Sequence, residues 1–167
     1  MAIMASGLHQ TKIDIPEEAR VKLIKLLQAR TYDLLDLQTQ MKQAHWNVRG
    51  PRFIALHELF DKFFNETREF VDTVAERIGQ LGGEVHGTAH HVAQGSTLPK
   101  YPTGIARGAE HTEAVASVIA EAGRNIRQAA DEADQLGDKD SEDIFVEISR
   151  GLDMQLWFIE SHQHADA

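Results

Sequence analysis

Proline is scarce in this chain of 167 residues and falls in only three places, at Pro16, Pro51 and the pair Pro99 and Pro102. Its ring collides with the preceding helical turn and it donates no amide proton. The long stretches free of it are therefore open to long helices. Apolar residues recur through them at helical spacing. Four helices are predicted. The first runs from about Pro16 to Asn47 on Leu23, Leu27, Leu34, Leu37, Met41 and Ala44, and Gly50-Pro51 breaks it. The second runs from about Arg52 to Leu81 on Phe53, Leu56, Phe60, Phe64, Thr67, Val71, Val74 and Ile78, with Gly82-Gly83 as its stop. The third spans about Gly104 to Leu136 with Gly137 beyond it. The fourth starts near Asp140 or Ser141 and reaches about His162 on Ile144 or Phe145, Ile148, Leu152, Leu156 and Ile159.

Two of the links are short, which makes helix hairpins of the first pair and of the last pair. Residues 84–103 are too long for a plain bundle loop, and a segment of this length is usually functional or carries a short helix. The fold expected is all-α, a four-helix bundle with one long crossover between helices two and three. Residues 16–163 form the domain, between tails at 1–15 and 164–167.

Composition narrows the chemistry. Lys plus Arg number 17 against 26 Asp plus Glu, a net charge of -9. That argues against a protein that coats phosphate backbones. The chain has no Cys, which excludes disulfides, thiolate zinc sites and iron–sulfur clusters, and leaves nine His as the metal ligands at hand. No run reaches the ~18 apolar residues of a membrane span. Met1–Gln10 makes a poor secretion signal, so the cytoplasm is the expected compartment.

One helix face carries the chemistry. At about 100° per residue, His57, Asp61, Asp72 and Glu76 fall at about 0°, 40°, 60° and 100° around helix two, beside the apolar stripe. Ionisable groups there are costly unless paired or metal-bound. The turn at Gly50-Pro51 brings His45, on the inner side of helix one, back beside His57. With Asp61 they make a two-histidine, one-carboxylate set suited to iron(II). His57 and Glu76 lie about 28 Å apart along the axis and cannot share an ion within one chain. The pattern is nearly palindromic about residues 66 and 67. Two copies of helix two packed antiparallel would join His57 and Asp61 of one chain to Asp72 and Glu76 of the other, at two identical sites. No Glu is followed three residues later by His, so the paired Glu-x-x-His elements of a bundle-core di-iron centre are absent.

The segments His45-Trp46-Asn47-Val48-Arg49-Gly50-Pro51-Arg52-Phe53, Leu56-His57-Glu58-Leu59-Phe60-Asp61 and Asp72-Thr73-Val74-Ala75-Glu76-Arg77 resemble the Dps family of ferritin-like mini-ferritins. Gln80-Leu81-Gly82-Gly83, Pro99-Lys100-Tyr101-Pro102 and Leu156-Trp157-Phe158-Ile159-Glu160 extend the resemblance over most of residues 15–163. It implies a hollow homo-dodecamer built from two-fold dimers. The ligand positions map onto His45, His57 and Asp61 of one subunit and Asp72 and Glu76 of its partner, in a site with room for two metal ions. The implied activity is ferroxidase, oxidising iron(II) by preference with hydrogen peroxide rather than dioxygen and storing iron(III) mineral against oxidative stress. The resemblance also suggests an electron-donating role for Trp46, beside a packing role. Trp157 reads as packing.

Other features have a bland and a sharp reading. Arg68 lies on the ligand stripe near the two-fold point, either as an ordinary exposed cation or as a partner for acids. Residues 131–143 hold seven acids and one Lys. They are a solvated turn or, as the resemblance implies, the lining of a three-fold pore that draws in iron(II), drawn from Asp131, Asp134, Asp138 and Asp143. His86, His90 and His91 in the long connection, and His162 and His164, read as surface histidines, with an extra metal site as the sharper alternative for the first three. The first 19 residues carry one base, Lys12, against Asp14, Glu17 and Glu18. Direct DNA binding is therefore expected to be weak. Two further readings stay open on residues alone: a nucleoid-associated, DNA-binding structural protein with secondary iron chemistry, and a bundle whose carboxylate stripe is structural.

Overall fold

The structure, a computed structural model, describes residues 7–164. The described residues form five helices and no strand: α1 (Glu17–Asn47), α2 (Phe53–Gln80), α3 (Ala89–Gly95), α4 (Gly108–Gln135) and α5 (Lys139–Ser161). α1 packs along α2 and α4 along α5. α1 also meets α4, α2 meets α5, and α3 lies against α1. This is the all-α bundle with a long crossover that the helical spacing predicts.

α1 starts behind Pro16 with Glu17 and Glu18 in its first turn, where the helix dipole favours negative charge. All six of its predicted stripe residues are fully buried. It ends where Val48 turns extended and Gly50 takes φ +114°. On α2, Leu56, Phe60, Thr67, Val74 and Ile78 are buried as the spacing predicts. Phe63, outside that stripe, is buried as well, because α2 faces both α1 and α5 and its buried arc is wider than one stripe.

The crossover runs the length of the bundle, and polar side chains of α1 hold it at successive heights. Gln28 accepts from the His86 amide at 2.8 Å and donates to its carbonyl at 2.9 Å. Fully buried Asp33 accepts from the amide (2.8 Å) and hydroxyl (3.0 Å) of Thr97, while Arg30 lies 2.9 Å from the same carboxylate. Asp36 accepts from the Ser96 hydroxyl at 2.6 Å, and Gln40 donates to the Pro99 carbonyl at 3.0 Å. Gly95 lies against the Tyr32 ring, so closely that a Cβ there would collide with it. At the far end the Arg49 amide donates to the Ala106 carbonyl at 2.8 Å. That pairing, with Gly104 at φ +81°, keeps residues 104–107 out of the helix. α4 therefore begins at Gly108 rather than at Gly104. The Glu110 carboxylate accepts from the Arg107 amide at 3.0 Å and so closes its first turn.

At the opposite end, residues before α1 return across the end of α2. The His9 amide donates to the Gly82 carbonyl at 2.8 Å, and Arg20 donates to the Leu81 carbonyl at 2.9 Å. The α4–α5 turn is locked to the same end. Buried Arg77 of α2 donates to buried Asp138 at 2.7 Å, and Ser141 donates to the other oxygen of that carboxylate. Burial alone would raise the Asp138 carboxyl, but the Ser141 hydroxyl and the Arg77 guanidinium outweigh it and hold the group below its ordinary 3.8. A carboxyl lowered in the folded state contributes stability above its unfolded pKa, and that contribution is lost as pH falls through the folded value. Arg77→Ala strands the buried carboxylate and is expected to destabilise the subunit by about 3 kcal/mol. The loss should shrink as pH drops below the carboxylate range, as urea melts at several pH values would record.

Candidate metal centre

The short turn from Val48 to Arg52 folds the end of α1 back on the start of α2 and stacks the His45 and His57 rings, centroids 3.6 Å apart and planes 22° apart. His45 Nδ1 lies 2.8 Å from the His57 carbonyl, and His57 Nδ1 lies 2.9 Å from the His45 carbonyl. A carbonyl only accepts, so each Nδ1 carries its ring's proton. In the uncharged form of each ring, Nε2 then keeps the lone pair with which imidazole binds a metal ion. The His45 carbonyl belongs to the last turn of α1, where carbonyls have no helical partner, so the His57 ring also caps that helix. Phe53 covers the other side of the His57 ring, with centroids 5.0 Å apart.

Asp61, one turn further along α2, is half-exposed. Its carboxyl is held below the ordinary 3.8, first by a hydrogen bond from Lys42, while modest burial opposes the shift and the two histidines add a smaller lowering. Lys42 stands one turn before His45 on α1. Its ammonium pairs with Asp61 and lies 4.6 Å from the centroid of the Phe64 ring. The sequence reading missed it. The available signal was its place three residues before His45, on the side of α1 that turns toward α2.

Asp72 and Glu76 are exposed near the other end of α2. Neither side chain makes a hydrogen bond or ion pair among the described residues. The structure thus joins His45 to His57, sets Asp61 one turn further along α2 in a pair with Lys42, and leaves Asp72 and Glu76 apart from all three. Among the described residues, no three His, Asp or Glu of one chain cluster closely enough to hold a metal ion. Arg68 lies on the exposed face between the two groups and pairs with Glu69 at 2.7 Å.

A model of the ferritin-like domain matches residues 24–166. A DNA protection during starvation protein of Agrobacterium fabrum is 42% identical over 154 residues, covering 92% of this chain and 95% of that protein. The chain belongs to the Dps family. Its fold agrees. DpsA14 from Streptomyces coelicolor superposes with a TM-score of 0.90 at 34% identity, over 95% of this chain and 94% of that one. Dps from Microbacterium arborescens, solved in a high-iron form, superposes with a TM-score of 0.83 at 32% identity, over 92% and 98% of the two chains.

In this Dps chain the other sequence candidates fall in different places. Trp46 is exposed on the wall of a groove between α1 and the crossover. His86 and His91 meet edge to face, centroids 5.0 Å apart, and His91 bonds to the Thr88 hydroxyl at 2.9 Å. Of the acids in 131–143, Asp138 is buried against Arg77 and leaves the set open to solvent. Asp134 pairs with Lys139, whereas exposed Asp131 and Asp143 have no side-chain partner among the described residues. Because the Lys42 ammonium occupies Asp61, Lys42→Met is expected to tighten cobalt(II) binding by about fivefold at most, the scale of a half-exposed ion pair. Calorimetric titration at neutral pH measures it, and weaker binding would mean that the ammonium orders the site rather than competing for it.

Proposed function

We propose that this protein is a ferroxidase and iron store whose oxidation sites are shared between subunits. The observation that carries the reading is the crossed histidine pair, which commits both Nδ1 atoms to backbone carbonyls and leaves both Nε2 atoms free of them, with the Asp61 carboxylate one turn further along α2. The same stripe of that helix leaves two unpartnered carboxylates at the other end. Antiparallel packing of α2 on its two-fold mate joins the halves. His45, His57 and Asp61 of one subunit then face the partner subunit's Asp72 and Glu76. Two imidazoles and three carboxylates suit iron(II), and the carboxylates favour the more highly charged iron(III) that follows.

Iron is the substrate here. Two iron(II) ions give two electrons to one hydrogen peroxide, which takes up two protons and leaves as two waters. Dioxygen is the slower alternative oxidant. Removing iron(II) and peroxide together protects against oxidative stress. The high-iron form of the Microbacterium arborescens relative supports storage of the product. The assembly is a dodecamer of two-fold dimers. Exposed Asp131 and Asp143 supply negative potential at its three-fold pores and draw in iron(II). The name of the Agrobacterium relative speaks of DNA protection. In this chain, with its net charge of -9, protection comes from iron chemistry, and contact with DNA is weak. No helix among the described residues is long and apolar enough to cross a membrane, and the reading places the protein in the cytoplasm.

Stopped-flow absorbance of iron(III) formation after anaerobic iron(II) loading and peroxide addition tests this. The double substitution His45→Ala and Asp61→Ala is expected to lower the rate by about a hundredfold or more, the scale seen when groups around a metal site are lost. Light scattering should show the assembly intact. Unchanged kinetics in an intact assembly would remove the site.

A further inference from the structure

The histidines of the crossover take no part in the chemistry described above, and two of the three come together. His86 and His91 are exposed, and their rings meet edge to face, with centroids 5.0 Å apart and planes 69° apart. His90 lies between them in sequence and contacts neither ring. An ion held about 2.1 Å from one nitrogen of each of two imidazoles, at the right-angled to tetrahedral spread of neighbouring ligands, sets the ring centres about 4.5–5.2 Å apart. The pair already stands at that separation.

Both histidines are placed by α1. The backbone of His86 is clamped by Gln28, which accepts from its amide at 2.8 Å and donates to its carbonyl at 2.9 Å. α3, which carries His91, seats Gly95 against the Tyr32 ring of α1. Thr88 stands directly before α3, where a hydroxyl ordinarily accepts from a helical amide and stabilises the first turn. This hydroxyl makes no such bond and lies instead 2.9 Å from Nδ1 of His91. A hydroxyl accepts from Nδ1–H as readily as it donates, and in that arrangement Nε2 keeps its lone pair. Such an outer hydrogen bond is what orients an imidazole ligand toward a metal ion. The His86 side chain makes no hydrogen bond, so its ring is free to present either nitrogen.

We propose that His86 and His91 form a second metal site, which takes copper(II) most tightly and zinc(II) less so. Among the described residues no third His, Asp or Glu is close enough to join them. Water therefore fills the remaining positions. Two imidazoles and water make a nitrogen–oxygen set without a carboxylate, unlike the acid-rich ligands proposed for iron. Copper(II) heads the divalent series on such a set, and it takes neighbouring nitrogens and waters in a tetragonal arrangement. The site shares no residue with the iron centre and does not depend on the ferroxidase reading.

The test titrates copper(II) into the whole iron-free assembly by calorimetry. The double substitution His86→Ala and His91→Ala is expected to remove one tight copper(II) per subunit. Its rate of peroxide-driven iron oxidation and its melting temperature should match the parent, because both side chains are exposed and lie outside the iron centre. Either single substitution should weaken that copper(II) by about a hundredfold, since the second imidazole binds within the same molecule as the first. His90→Ala should change nothing. Thr88→Val keeps both donors but frees the His91 ring, and should weaken binding by about tenfold.

Pulsed electron paramagnetic resonance at half an equivalent of copper(II) counts the imidazoles on the ion. It is run on an assembly carrying His45→Ala and His57→Ala, so that those rings do not compete. Two are expected, falling to one in either His86→Ala or His91→Ala. An unchanged copper(II) count in the double variant overturns the site. Equal affinity in Thr88→Val and the parent overturns the claim that it is built rather than a chance meeting of surface histidines.

Discussion

Two hydrogen bonds crossing in opposite directions between the end of α1 and the start of α2 set the chemistry of this molecule. Each histidine gives its Nδ1 proton to the other's backbone carbonyl, so neither ring turns without leaving a polar group unmatched. Both bonds exist only because the hairpin link is short, with Gly50 supplying a positive φ that few other residues adopt without strain. The same two bonds satisfy a helix end and fix the tautomers, so local folding and ligand preparation are one event. The imidazoles are oriented before any ion arrives, which lowers the ordering that binding demands.

The rest of the bundle keeps that hairpin in place. The crossover is fastened to α1 at Gln28, Asp33, Asp36 and Gln40, and it closes on Arg49 within the hairpin turn itself. At the other end, Arg77 and Asp138 tie α2 to the α4–α5 turn. α2 is thus held at both ends while its ligand-bearing stripe stays open. An ion held by one chain's half-site meets one carboxylate, already paired with Lys42. In the proposed two-fold pair a symmetry mate would contribute two more, so that a ligand set too weak alone would become sufficient.

Much of this was legible in the sequence. Period-3.6 spacing gave the stripes of α1 and α2, and Gly50-Pro51 gave the hairpin that brings His45 to His57. The spacing of His57, Asp61, Asp72 and Glu76 set these four side chains at two ends of one helix, where the structure has them. What escaped depends on contacts distant in sequence. The start of α4 is set by a bond from Arg49 to Ala106, across 57 positions of chain, which helical propensity at Gly104 does not reveal. Asp138 sits in an acidic run that reads as solvated, yet Arg77, far away in sequence, draws it into the interior. Lys42 gains its partner, Asp61, only when the hairpin closes. Phe63 lies off the single predicted stripe because α2 has two buried neighbours rather than one.

A site assembled from two chains can be rebuilt from two differently damaged ones in mixed assemblies. One variant carries His57→Ala and Asp61→Ala, the other Asp72→Ala and Glu76→Ala, and each alone is expected to be inactive in peroxide-driven iron(II) oxidation. Unfolded together and reassembled, they form mixed two-fold pairs in which one of the two sites has all its ligands intact, so activity should return. Failure of the mixture to recover activity, with mixed assembly shown by mass spectrometry, would contradict a shared site.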